Sequence, residues 1–255
     1  RNLIHRAKIK IAKIVRFEEI NSFIFFNTVL LIIIDQVEPK WYNDMNCKDM
    51  EQKIGIIIPS YNEADNIPIL VKKIFHYIPK AKIIIVDDSN PQQNKKLKKN
   101  ITNKDVVLIS RLKKEGRGSA VIEGLKMMSQ LKNINFFFEM DADLAHDPKD
   151  FDKFLKSLKS KKADLVIGSR YLRGSKIIKW PLKRLILSKI INSFINLWLG
   201  IKLSDYTNGF RLYNRKAVNF LIKIKLREKG FIVLSEIAFK LNNNNFKLTE
   251  VPITF

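Results

Sequence analysis

Between residues 54 and 168, short runs of β-branched and apolar residues alternate with stretches of helical period, and most of the runs end in a polar or acidic cluster. Ile54 to Ile58, Lys82 to Val86, Asp105 to Ser110, Asn135 to Met140 and Ala163 to Gly168 have the length and near-continuous apolar character of strands buried on both faces. Asn66 to Tyr77, Gly118 to Leu131 and Pro148 to Lys159 space their apolar residues as helices do. This alternation predicts an α/β domain, a mostly parallel sheet with helices on both faces. Ligands of such sheets bind outside the carboxyl ends of the strands. Those ends read Pro59-Ser60-Tyr61-Asn62-Glu63, Asp87-Asp88 and Asp141-Ala142-Asp143, and these polar clusters can converge on one crevice.

The last cluster has the most explicit chemistry. The aromatic run Phe136-Phe137-Phe138 leads into Asp141 and Asp143. Side chains two apart share a side in extended backbone, so both carboxylates can reach one hard divalent cation. Mg²⁺ takes few protein carboxylates and leaves its other positions to water and substrate phosphates, which suits a nucleotide-diphosphate site. A solvated acidic turn ahead of the helix that Pro148 begins accounts for the same residues more plainly. His146 belongs either to the water shell of such a metal or to the packing of that turn.

At 255 residues and 46% hydrophobic content the chain can bury a full core, which excludes wholesale disorder and suits one large domain with an appendage. A formal net charge of +22 points to an anionic partner or surface, although a coding bias toward Lys, Ile and Asn would produce the same charge. Cys47 is the only cysteine, so no internal disulfide forms, and a reducing compartment fits. Residues 1–50 read as a basic and apolar N-terminal extension. Arg1, Arg6, Lys8, Lys10, Lys13 and Arg16 alternate with Ile4, Ala7, Ile11 and Ile14 at helical spacing, giving a helix that lies on an anionic membrane or presents a solvated face. Ile20 to Ile34 falls short of the roughly 20 apolar residues of a span. It reads as interfacial or packed, and the start of the chain as a fragment boundary.

Eight segments stand in an order that carries a resemblance: IIIPSYNEADNI at 56–67, IIIVDDSN at 83–90, EGRGSAVIEGL at 115–125, MDADLAHDP at 140–148, VIGSRY at 166–171, WPLKRLILS at 180–188, SDYTNGFRLY at 204–213 and EVPITF at 250–255. From about Gln52 onward the chain resembles family 2 glycosyltransferases of the GT-A fold, and within them the polyprenyl-phosphate (dolichol-phosphate) mannosyltransferases. The resemblance implies an inverting, metal-dependent transfer, best read as mannose from GDP-mannose to a polyprenyl phosphate at the cytoplasmic face of a membrane. It assigns the donor nucleotide to Pro59, Tyr61, Glu63, Val86 and Asp88 together with Asp141, Ala142 and Asp143. Asp141 and Asp143 would hold Mg²⁺ or Mn²⁺ across the diphosphate.

A phosphate acceptor is already anionic at neutral pH, since its second pKa is about 6, and needs cations rather than a strong base. Arg170, Arg184 and Arg211 lie in matching motifs and are the expected phosphate holders, with Arg117 a lesser candidate. Asp205 is expected to orient an arginine or to handle a proton for a hydroxyl acceptor, and Glu236 matches an acidic position of the family. Ala145 stands where relatives often carry Gln or Ser, so a third, outer metal contact is expected to be missing or filled by water, and Asn208 stands where relatives often carry Ser. Pro181 to Leu199 reads as an amphipathic helix closed by Gly200, either packed on the sheet or covering a channel for a lipid chain. Relatives continue beyond Phe255, so a catalytic domain over 51–255 is expected to be truncated at its C-terminus. Transfer from UDP-glucose or UDP-N-acetylglucosamine to a polyprenyl phosphate or a polysaccharide hydroxyl is the alternative within the fold. Outside it stands a basic nucleic-acid-binding or membrane-docking module. Acidic strand ends and the lack of an aromatic-basic stacking array speak against nucleic acid as a partner.

Overall fold

The apolar runs become strands of one sheet. The computed structural model describes residues 53–255 apart from 112, 179 and 229, so the N-terminal extension expected over 1–50, with its membrane-facing helix, lies outside the described residues. In chain order the elements are β1 (Ile54–Ser60), α1 (Asn66–Tyr77), β2 (Lys82–Asp87), α2 (Pro91–Asn100), β3 (Val106–Ser110), α3 (Arg117–Ser129) and β4 (Phe136–Glu139). A 3₁₀ turn (Pro148–Asp150) then leads into α4 (Phe151–Ser160), β5 (Leu165–Ser169), α5 (Leu182–Leu199), β6 (Arg211–Asn214), α6 (Arg215–Leu221), α7 (Val233–Asn243) and β7 (Leu248–Pro252). The strand order is β3-β2-β1-β4-β6-β5-β7. All pairings are parallel except those of β6, which runs antiparallel to both β4 and β5.

Burial on both faces explains why the central strands are apolar throughout. Successive side chains point to opposite faces, and Phe137 and Phe138 show the result. Phe137 joins Ile57, Ile84 and Val86 beneath α3, α6 and α7, where Val121, Leu125, Val218 and Ile237 complete one core. Phe138 faces the other way, into a cluster with Phe151, Phe154 and Phe210 at ring-centroid distances of 4.5, 5.7 and 6.2 Å. Close approach of α3 to the sheet requires Gly124, because a Cβ there would lie 2.6 Å from Ile57 Cγ2.

Four elements depart from the sequence reading. Helix α2 starts on Pro91 with the Asn90 side chain accepting from Gln93 N–H at 2.9 Å. Only Asn94 and Leu97 of its residues are buried, so it lacks an apolar period to read. Strands β6 and β7 are short and carry Arg211, which is fully buried, and Glu250, which is partly buried, polar residues that interrupt an apolar pattern. Helix α5 closes at Gly200 as expected, in the left-handed conformation, and Ile195 and Leu199 pack against the core, but most of its apolar residues stay exposed. Asn192 is its only buried residue, while Leu197 and Trp198 are 85% and 77% exposed.

Truncating a ring that anchors a whole face of the sheet should be felt globally. Phe138→Ala is expected to lower unfolding free energy by about 3–5 kcal/mol, measured by chemical denaturation.

Candidate active site

Strands β2, β1 and β4 are adjacent and parallel, with Pro59 paired to Val86 and Ile57 to Glu139, so their polar ends leave the sheet along one edge. Asp141 and Asp143 line a cleft of about 380 Å³ there. Arg170, Arg184 and Thr207 give it a polar side, Leu187, Ile191 and Phe231 an apolar one, and Trp180 and Phe255 stand between.

Asp141 is held tightly. Its Oδ1 accepts from Arg117 Nε at 2.8 Å and lies 2.7 Å from Arg117 Nη2, while Arg117 Nη1 donates to Glu139 Oε1 at 2.6 Å. Burial alone would raise the Asp141 carboxyl, but the Arg117 guanidinium outweighs it and holds the group below the usual carboxylate range. Asp143 is exposed and accepts from Ala145 N–H at 3.0 Å. Between them and the helix start, Leu144 adopts φ 64°, a left-handed conformation that costs a side-chain-bearing residue about 1–2 kcal/mol. The tight reversal is kept by His146, whose Nδ1 accepts from Asp141 N–H at 3.0 Å and whose Nε2 donates to Asn208 Oδ1 at 2.8 Å. An accepting Nδ1 means a neutral ring, and burial pushes the His146 pKa down. With both nitrogens occupied His146 has no lone pair for a metal and holds the turn instead.

The residues present fit a hard divalent cation only in part. Among the described residues no group of three or more His, Cys, Asp or Glu could enclose one. Asp141 Oδ2 accepts no hydrogen bond from them, and Asp143 is open to solvent, so two carboxylates are available. That set suits a cation that completes its shell with phosphate and water.

On the opposite wall Arg170 is oriented rather than free. Its Nε and Nη2 donate to Asp205 Oδ2 and Oδ1 at 2.7 and 2.8 Å, and Nη2 also reaches Thr207 Oγ1 at 2.7 Å. Glu250 of β7 fixes the Asp205 loop by accepting from Ser204 N–H at 2.8 Å and Asp205 N–H at 2.9 Å. Burial raises the Glu250 carboxyl despite these donors. Trp180 has Arg184 Cζ 4.0 Å from its ring centroid and Arg170 Cζ at 5.1 Å. Glu236 accepts from the backbone N–H of Arg227 and Glu228, each at 2.9 Å, and so ties down the loop that leads to Phe231.

Arg211 requires a correction. It is fully buried and absent from the cleft lining, with its donors spent on the carbonyls of Asn208 (3.0 Å), Leu234 (2.8 Å) and Tyr206 (2.9 Å). A guanidinium buried in this way holds the loop and does not reach the cleft where an acceptor phosphate would lie. Arg117 is likewise committed to carboxylates.

Apart from Asp141 and Asp143, the residues expected to hold the donor nucleotide are absent from the lining of this cleft. Tyr61 is exposed, with Lys114 Nζ 3.7 Å above its ring, and Glu63 accepts from Asn66 Nδ2 at 2.6 Å. Pro59 is half-buried, and Val86 and Ala142 turn their side chains into the interior, leaving only backbone to offer. Both Asp88 oxygens accept from Arg111, and Oδ2 also accepts from Glu115 and Gly116 N–H at 3.1 and 3.3 Å. A ribose hydroxyl would have to share them. Reading motifs alone overlooked Arg111, Glu139 and Glu250. Of these, Glu139 had a signal, since a carboxylate inside an aromatic strand demands a buried partner.

Arg211→Met is expected to destabilise the fold by at least about 3 kcal/mol, because three buried carbonyls lose charge-assisted donors. A Lys at this position is expected to recover only part of that loss, and denaturation curves of the two variants decide it.

The sequence matches the model of glycosyl transferase family 2 over residues 55–221. It is 34% identical to polyprenol monophosphomannose synthase of Mycolicibacterium smegmatis over 207 residues, 80% of this chain and 77% of that protein. Identity to undecaprenyl-phosphate mannosyltransferase of Micrococcus luteus is 30% over 205 residues, 80% of this chain and 83% of the relative. In fold it is similar to glucosyl-3-phosphoglycerate synthase of Mycobacterium tuberculosis, solved with Mn²⁺, uridine diphosphate and phosphoglyceric acid, at TM-score 0.61. That likeness covers 86% of this chain and 75% of the other at 15% identity, and it concerns the GT-A fold alone. A second crystal structure of the same synthase, with Mg²⁺ and uridine diphosphate, gives TM-score 0.60. The family match spans most of the catalytic domain and the curated relatives share at least 30% identity with it, so the chain belongs to glycosyl transferase family 2 and is a glycosyltransferase.

Proposed function

We propose that this enzyme moves mannose from GDP-mannose onto a polyprenyl phosphate, with inversion and with Mg²⁺ or Mn²⁺, at the cytoplasmic face of a membrane. One observation carries the reading: a single cleft has carboxylates at one end, arginines on the Trp180 ring at the other, and an apolar wall that continues onto the exposed face of α5. This combination suits a ligand with an anionic head and a hydrocarbon chain. Both curated relatives are named for mannosyl transfer to polyprenyl carriers, which supports the same choice.

Asp141 and Asp143 would hold the divalent cation, which when bound neutralises charge on the departing diphosphate. The acceptor phosphate brings its own anionic oxygen, so the protein's task is to aim it at the sugar carbon. Arg170, locked by Asp205, and Arg184, stacked on Trp180, supply oriented positive charge for that purpose. Asp205 acts as the support of Arg170 and not as a base, since its carboxylate is buried and saturated by donors.

Helix α5 supports the membrane assignment. Residues 171–204 contain no Asp or Glu, and Lys183, Arg184 and Lys189 flank exposed Leu187, Ile190, Phe194 and Trp198. Apolar side chains with basic neighbours suit an anionic lipid surface. No described helix is long and apolar enough to cross a membrane.

GDP-mannose with Mn²⁺ is expected to raise the thermal midpoint by several degrees, since saturation at a hundredfold Kd is worth about 2.7 kcal/mol. Asp141→Asn/Asp143→Asn should abolish the metal-dependent part. A shift with UDP-glucose instead would move the donor assignment, and a shift with DNA but no nucleotide would overturn the reading. The chain is also expected to sediment with phosphatidylglycerol vesicles but not with phosphatidylcholine, with several-fold weaker binding for Leu197→Ser/Trp198→Ser. Equal binding by that variant would remove α5 from the membrane contact.

A further inference from the structure

Arg117 has no part in the chemistry above, yet it is a nearly buried cation beside it. Its guanidinium spans Glu139 and Asp141, carboxylates two residues apart at the end of β4, and is itself almost fully buried. Glu139 is saturated on its other oxygen by Tyr213 Oη at 2.7 Å. Gly209 leaves room for the guanidinium: a Cβ there would overlap Arg117 Nη2 and come within 3.1 Å of Asp141 Oδ1. The Phe231 ring lies 5.5 Å from Cζ. An arginine does not lose its charge in a protein, so this cation is permanent.

We propose that Arg117 is a positioning residue that keeps Asp141 Oδ1 for itself, so that Asp141 offers a divalent cation only Oδ2 and the cation binds together with the nucleotide diphosphate rather than ahead of it. The proposal rests on the reading of Asp141 and Asp143 as metal carboxylates. Two facts lead to it. Asp141 Oδ1 accepts from one guanidinium, which the missing Cβ of Gly209 makes room for and Glu139 holds from its other side. Around the cleft, moreover, Glu139, Asp141, Asp143 and Asp205 are opposed by Arg117, Arg170 and Arg184, so a bare dication meets little net negative charge. A nucleotide diphosphate supplies the missing charge and ligands, and the affinities of cation and nucleotide are then coupled. Arg117 also keeps Glu139 and Asp141 from repelling each other, which fixes the direction in which Asp141 points.

The test is Mn²⁺ binding to the full chain, read from the electron paramagnetic resonance signal of free Mn²⁺, alone and with GDP or UDP in separate titrations. The wild type should bind Mn²⁺ at least tenfold more tightly with the nucleotide that it accepts than without. Arg117→Met/Glu139→Gln removes the buried pair together, so no orphan charge is left at Glu139. It should bind Mn²⁺ alone at least tenfold more tightly than the wild type, and the gain from nucleotide should shrink accordingly. Gly209→Ala displaces the guanidinium without deleting it and should move both quantities the same way, so it serves if the double variant fails to fold. Nucleotide-dependent Mn²⁺ binding that is identical in wild type and folded variants would overturn the role of Arg117 while leaving the metal reading intact. Absence of Mn²⁺ binding to the wild type under every condition would overturn both.

Discussion

Carboxylates set at the rim of an apolar sheet have to be matched by cations, and this domain meets the requirement with arginines brought from elsewhere in the chain. Asp88 is paired with Arg111, Glu139 and Asp141 with Arg117, and Asp205 with Arg170. Breaking a buried pair by removing one member costs about 3–5 kcal/mol, so each pair fixes the loop that carries its arginine. The Asp88 pair also accepts from the backbone at Glu115 and Gly116, which starts α3 and aims Arg117 at Asp141. Glu250 plays the same part on the far side of the cleft for the loop of Asp205 and Thr207.

Strands β1, β2, β4 and β5 could be read directly because a strand buried on both faces has to be apolar at every position. The reading failed where burial came from partners rather than from composition. In β6, Arg211 is hidden because three carbonyls surround it, and a motif cannot show that its guanidinium points inward. Asp141 and Asp143 were legible as a closely spaced pair, which is a local property, although β4 ends at Glu139 and it is the turn after it that puts both on one cleft. The partners of Asp141 were not legible, since Arg117 lies 24 positions away and reaches it only through the packing of α3 on β1.

Helix α5 shows the limit of pattern reading from another side. An apolar stripe ordinarily signals a face turned to the core, yet here only Ile195 and Leu199 pack against the core beneath α3, α6 and α7, and the rest of the stripe stays exposed. It contributes Leu187 and Ile191 to the cleft, so its exposed apolar surface is continuous with the apolar wall of the cleft. Polar and apolar recognition thereby lie within one cavity.

The amino-acid order alone determined the alternation of strand and helix, the mostly parallel sheet, the edge that gathers the polar strand ends and the acidic pair after β4, because each depends on spacing within a few residues. Tertiary structure decided which arginine serves which carboxylate, that Arg211 and His146 hold loops, and that Asp141 faces the cleft with one oxygen already taken. Those outcomes depend on distances across chain separations of tens of residues, which local spacing does not encode.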